Sequence, residues 1–500
     1  MSTPSTLAAD PTRPTSGAGF TVFGDDRAPT KIPRWMLLVL LIVAQVIFSR
    51  FMTQQPLVGM IQAAAISALV LYGGVRRDLP LLLTVAAYIP GAEITWRQSQ
   101  VPIPYLLAVY LLIGISVMAV ASGTDHVTRS GRLALLYILL LIPASLVTYS
   151  VAPSSARKLI AFSLAGPAAL AALVILFSQL VIGQALYRRL LWTLLISGVG
   201  PLTIALTAIS DYIGNFGAIE FDTESNFITS GGFGPVQVSS VLGLSALVAV
   251  LLVFAESEIV PRVLAGILGL ASGAQSLLTF SRGGMTATAI ALAGLVIVHT
   301  RDREHRRRVL IVVGLAVVVV FTVIIPRLET FTGGKFQERF SSTKTGRTTL
   351  ASGDFELFEN NIWLGAGAGM SKFRRIPYDV CMLRTDRCNL ESASHTEFTR
   401  MLAEHGLSGL AAIIVMGVLA RQAMRRAGPS MGLTVTMILW SVAQMAYANL
   451  RVAAVPFAFA FGFLPVRDDA DLGPPTRRAD DPEPLGSGWV AEDTRPRSAS

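Results

Sequence analysis

Three segments of this 500-residue chain carry residues whose types and spacing could do chemistry. The first is Ser281-Arg282-Gly283-Gly284, where an arginine sits beside glycines that expose the backbone. A guanidinium in that setting can fork two hydrogen bonds onto a phosphate or carboxylate, although a tight helix–helix turn with a snorkelling arginine also accounts for it. The second runs from Gly346-Arg347-Thr348 to Gly365-Ala366-Gly367-Ala368-Gly369. Alternate glycines allow positive φ angles and close approach to a bulky ligand, with a flexible turn as the alternative because no strand–helix context accompanies them. The third is Ser392-Ala393-Ser394-His395-Thr396-Glu397-Phe398. Ser394 and Glu397 have the spacing of a capping box, which predicts His395 in the first turn of a helix. There the positive end of the helix dipole favours the neutral imidazole, which can accept a proton; an interfacial histidine without chemistry is the other reading.

The elements that must position these groups are membrane spans. The chain is 52% hydrophobic and 15% charged, with a mean hydropathy of +0.58, which excludes a water-soluble enzyme, where charged residues approach about 25%. Spanning about 30 Å of hydrocarbon takes roughly 20 apolar residues. Blocks of that kind are expected near 33–50, 57–75, 78–95, 102–121, 132–150, 159–183, 189–210, 236–255, 261–280, 283–299, 308–326, 396–420, 430–448 and 451–465. The fold class is therefore an all-α polytopic membrane protein of about 12–14 transmembrane helices with one large extracytoplasmic loop. Residues 1–32 form a polar, disordered cytoplasmic tail without a signal peptide, 33–326 hold spans 1–11, and 327–394 form the loop domain. Residues 395–465 hold spans 12–14, and 466–500 form a second disordered cytoplasmic tail. With the amino terminus inside, Arg76 and Arg77, Arg129 and Arg132, Arg188 and Arg189, Arg262, and Arg425 and Arg426 all fall on cytoplasmic segments, as the positive-inside rule requires. All three chemical segments then fall on the outer face. The net charge of +9 reads as topology, so no nucleic-acid partner is expected. Nor does any Walker loop, dinucleotide fingerprint or metal-ligand cluster suggest a cofactor.

Taken together, the three segments resemble the O-antigen ligase and O-antigen polymerase superfamily, most strongly from about Gly231 to Leu410. The family's ordered pattern of an S-R-G-G turn, an arginine, a Gly-rich stretch, a histidine at a helix start and "L-x-E-x-G-L-x-G-L" is matched in turn. The matching residues are Arg282, Arg347, Gly365 with Gly367 and Gly369, His395, and Leu402-Ala403-Glu404-His405-Gly406-Leu407-Ser408-Gly409-Leu410. Two positions depart from it: Thr396 and Val236 stand where the family often has asparagine, and each loses an amide that could orient substrate. The resemblance implies a metal-independent, cofactor-free glycosyltransferase with a GT-C-like fold in the bacterial inner (cytoplasmic) membrane. An undecaprenyl-diphosphate-linked glycan would be the donor, and a hydroxyl on a lipid, glycan or protein the acceptor. His395 would be the general base, Arg282 and Arg347 would hold the diphosphate, and Lys372, Arg374 and Arg375 would add to the anion site.

Two other classes share the hydropathy. A polytopic polysaccharide transporter or flippase would need a polar path through the bilayer, yet charged residues look nearly absent from the spans. A peptidoglycan polymerase of the shape and division type would rely on an outer-loop aspartate, for which Asp354 is the nearest candidate. Cys381 and Cys388 both lie in the outer loop, where a disulfide would stabilise by about 2.5 kcal/mol and two reduced thiols are the alternative.

Overall fold

The computed structural model describes residues 20–22, 33–121, 127–222, 224–300, 303–341, 347–375, 394, 396–447 and 450–469. Apolar composition and the need to satisfy every backbone group in lipid make nearly all of it helical. In chain order the helices are α1 (Arg34–Gln54), α2 (Pro56–Arg76), α3 (Leu79–Gln98), α4 (Leu107–Ala121), α5 (Arg129–Leu141), α6 (Ala144–Val151), α7 (Ala156–Phe177) and α8 (Gln184–Phe216). They continue as α9 (Pro235–Ala255), α10 (Ile259–Leu278), α11 (Arg282–Thr300), α12 (Arg303–Val319), α13 (Ile325–Phe331), α14 (Lys335–Ser341), α15 (Arg347–Asn360), α16 (Ser371–Arg374), α17 (Glu397–Arg426), α18 (Met431–Met445) and α19 (Ala454–Phe461). Local sequence sets their starts. The Asp78 side chain accepts from the Leu81 N–H at 2.9 Å to cap α3, and proline opens α2 and α9, where its missing donor costs nothing.

Among the described residues eleven helices are long and apolar enough to cross a membrane, counting α5–α6 as one and the run from Val309 in α12 to the end of α13 as another. The expected blocks at 102–121, 430–448 and 451–465 form helices of 15, 15 and 8 residues instead. The last is the informative one, because residues 452–464 are buried throughout. They lead from Ala453, whose N–H donates to Glu93, to Val466 at the opposite end of the bundle, first as α19 and then through a turn at Gly462 and Phe463. Non-helical backbone is tolerated at membrane depth when protein rather than lipid surrounds it.

That opposite end is marked by a small parallel sheet. Strand β1 (Phe20–Val22) pairs with β2 (Leu180–Gly183), which pairs with β3 (Val466–Arg467). Tails expected to lack regular structure thus contribute two strands, and the segments before α1, between α7 and α8, and after α19 share one end of the bundle. The core is built on α3, α8 and α9. Small residues let these helices approach closely: a Cβ on Gly91 would lie 2.3 Å from the Ser197 carbonyl carbon, and one on Gly284 of α11 would lie 2.1 Å from the Ser239 oxygen.

Candidate functional site

The end of the bundle remote from the sheet gathers the polar groups. The connection before α9 bridges α3 and α10 there: Gln98 Nε2 donates to the Ser230 carbonyl at 2.9 Å, and Thr229 Oγ1 to the Leu278 carbonyl at 2.7 Å. Phe280, buried and held at φ 58°, makes the turn into Ser281 and Arg282. An aromatic residue in the left-handed region is a strained turn held by its surroundings. Here Phe221 and Phe336 pack on its ring, and buried Arg339 donates from Nε to its carbonyl at 3.1 Å. Arg282 emerges half-buried in the first turn of α11. Its neighbour Gly283 accepts from Gln444 on α18, and Gln444 accepts from Ser240 on α9.

Arg97, on the last turn of α3, stands on the same end. Its guanidinium donates to Gln237 Oε1 at 2.8 Å, to Glu93 Oε1 at 2.5 Å and to the Tyr105 carbonyl at 3.2 Å, and it lies 3.8 Å from the Tyr105 ring centroid. A cavity of about 220 Å³ opens beside it. Phe162 of α7 packs against Tyr105, and Arg451 lies 4.7 Å over the Phe162 ring.

Ser163, the next residue of α7, faces a second cluster. Arg400 of α17 donates to Ser163 Oγ and Glu404 Oε2, both at 2.7 Å, and is ion-paired with Glu397. The Glu404 carboxylate also accepts from Ser163 Oγ at 2.7 Å, the Gly369 N–H at 2.9 Å and Ser371 Oγ at 2.8 Å. All three charged residues are essentially inaccessible to water. Charges are therefore not absent from the spans; they are concentrated in α3 and α17, where acid and base stand three or four residues apart and meet on one helix face.

The Gly-rich stretch docks on this cluster. Gly365, Gly367 and Gly369 have φ of 70°, 105° and 76°. The Ala366 N–H donates to the Ala403 carbonyl at 2.8 Å and the Gly367 N–H to the Glu404 carbonyl at 3.1 Å. Those carbonyls are accessible because α17 is broken at Gly406, at φ 62° and ψ −138°. The close approach that the glycines permit is thus to the chain's own backbone. A Cβ on Gly365 would lie 2.3 Å from the Glu404 carbonyl carbon. Gly365→Ala is expected to cost at least about 2 kcal/mol from the left-handed φ and the overlap together, read as a lower melting temperature in detergent; wild-type melting would contradict this docking.

The other expected site residues divide. Arg375 is buried and ion-paired with Asp354 at 2.9 Å, in a group with Ser394 and Thr399. Burial pushes the Asp354 carboxyl above its ordinary range, against the opposing pull of Arg375, Thr399 and Ser394. Arg374 donates to the Ala366 carbonyl at 3.1 Å, and Lys372 Nζ lies 4.5 Å from the Phe373 ring. Arg347 is the first residue of α15, two turns before Asp354. His395, Cys381 and Cys388 lie outside the described residues. The expected capping box does not form: Thr396 caps α17 by accepting from the Thr399 N–H at 3.0 Å, Ser394 serves Arg375 and Asp354, and Glu397 serves Arg400. Thr396, noted as a departure from asparagine, fills the capping role that an asparagine side chain would also fill.

Residues 267–414 match the O-antigen ligase family model. The match supports the O-antigen ligase and polymerase superfamily and a glycan-transfer function of that type, on a multi-pass membrane protein. No curated protein matches the chain. The O-antigen ligase match encloses Arg282, Arg347, the Gly-rich stretch, His395 and Glu404. Arg97, Tyr105 and Phe233 lie outside it. Sequence reading passed over them, although Glu93 and Arg97, an acid and a base four residues apart in an apolar block, carried the signal that ionisable groups inside a span are expensive and kept for a purpose.

Proposed function

We propose that this protein is a glycosyltransferase that moves or polymerises a glycan from an undecaprenyl-diphosphate-linked donor onto a hydroxyl acceptor at the extracytoplasmic face of the bacterial inner membrane. The observation that carries the reading is the ordered set of Arg282, Arg347, Gly365 to Gly369 and His395 within the one segment that matches the O-antigen ligase family. The placement of Arg282 at the end of the bundle remote from the β1–β2–β3 sheet supports it. If that sheet is cytoplasmic, as the arginine distribution requires, Arg282 faces outward.

In the proposed reaction His395 takes the proton of the acceptor hydroxyl as its oxygen attacks the anomeric carbon. The bond from that carbon to the diphosphate oxygen breaks, and the carrier lipid leaves as its diphosphate. Arg282 and Arg347 supply fixed positive charge where negative charge develops on the leaving group. Reconstitution with a synthetic lipid-diphosphate oligosaccharide, scored for carrier release and product length, tests this. Arg282→Ala and Arg347→Ala are each expected to lower carrier release by about 10²- to 10³-fold while inserting normally; full activity in both would remove the mechanism.

A further inference from the structure

Arg282 does not line the cavity at the end of α3, and the walls of that cavity have a chemistry of their own. Resting on the glycan-transfer reading, the geometry points to a subsite there for a single neutral sugar ring of the glycan.

Size is the first argument. At about 220 Å³ the cavity is smaller than the roughly 300–1,000 Å³ that accommodates drug-sized ligands, so it suits one ring rather than an oligosaccharide. The walls are the second. Trp96, Tyr105 and Phe233 line it together with Arg97, Glu93 and Gln100, and aliphatic side chains complete a mostly apolar wall. Tyr105 is 45% exposed, with Arg97 over its ring and Phe162 beside it. A pyranose has an apolar face of C–H groups and an equator of hydroxyls, which this mixture of rings and fixed polar groups complements.

Charge is the third argument, and it selects among ligands. Arg97 is compensated by Glu93, whose second oxygen accepts from the Ala453 N–H at 2.7 Å. A site for an anion would leave its guanidinium uncompensated. A site for a lipid chain would have no use for an ion pair in its wall, where desolvation costs several kcal/mol. A compensated, rigidly held pair suits a neutral ligand that exchanges hydrogen bonds. The guanidinium is braced by Gln237, by Glu93 and by the Tyr105 carbonyl, so binding requires little ordering. Gln100, on the cavity wall, is exposed and held at φ 52°, a second strained position on this end of the bundle.

Saturation-transfer NMR on the detergent-solubilised full chain, with methyl glycosides of glucose, galactose, mannose and rhamnose as probes, tests the subsite. At least one glycoside is expected to receive saturation on its ring protons. Tyr105→Ala and Phe233→Ala should each weaken that binding by about 5- to 10-fold, while Tyr105→Phe retains it. The subsite is overturned if no glycoside binds, if both alanine variants bind like wild type, or if undecaprenyl phosphate alone occupies the cavity. In turnover assays with donor and acceptor varied separately, Phe233→Ala should raise KM for one of the two, which identifies the glycan that supplies the ring; an unchanged KM for both also overturns it. Glycoside binding by a chain that releases no carrier lipid would sink the transferase reading and leave the subsite. Carrier release with glycoside binding untouched in both alanine variants would do the reverse.

Discussion

His395→Ala is expected to lower glycan transfer by about 10²- to 10⁴-fold, the usual worth of a general base. The loss should appear in kcat, because the proton moves only as the acceptor oxygen attacks, and KM for the donor should stay near wild type. Donor binding with intact affinity but no turnover is the diagnostic result, measured by carrier release alongside binding of the lipid-diphosphate donor. A variant that retains wild-type kcat would show that His395 takes no proton, whatever the arginines do.

The second large effect is on stability. Glu404→Ala removes four hydrogen bonds at once and leaves Arg400 with one carboxylate where it had two. Arg400 keeps Glu397, but Ser163, Ser371 and the Gly369 N–H lose their acceptor, and a buried donor left unsatisfied costs about 1–3 kcal/mol. The fall should be seen as a lower unfolding temperature of the purified protein in detergent. Glu404→Gln, which keeps an acceptor of the same shape, should lose less. Replacing Arg400 by methionine in the Glu404→Ala background should deepen the loss, because buried Glu397 then has no cation. Equal melting of Glu404→Ala and wild type would mean that the Gly-rich stretch is held by something other than this cluster. Transfer should fall with it, since the Gly369 N–H and Ser371 lose their anchor.

Much of the architecture was legible because apolar length is a local property. Blocks of roughly 20 apolar residues became helices, with starts set by Asp78, Pro56 and Pro235. A buried turn and irregular chain defeated that reading after α19, because hydropathy cannot distinguish a helix in lipid from non-helical chain enclosed by protein. The capping box failed for a related reason. Ser394 and Thr396 are both competent caps, and the choice fell to Thr396 once Arg375 and Asp354, distant in sequence, engaged Ser394.

The sequence alone determined that the chain lives in a membrane, and it identified residue types that could bind a phosphate or carboxylate and accept a proton, since these follow from composition and ordered motifs. Only the tertiary structure decided which cations are already spoken for. Arg375 is neutralised by Asp354, 21 residues away and brought in by folding, while the glycines expected to meet a ligand meet the backbone of α17. It also decided that Arg97 shares an end of the bundle with Arg282, through Gln237, Ser240 and Gln444. The physical reason is that a guanidinium's role depends on its nearest counter-charge, and for Arg375 that distance is set by packing rather than by position along the chain.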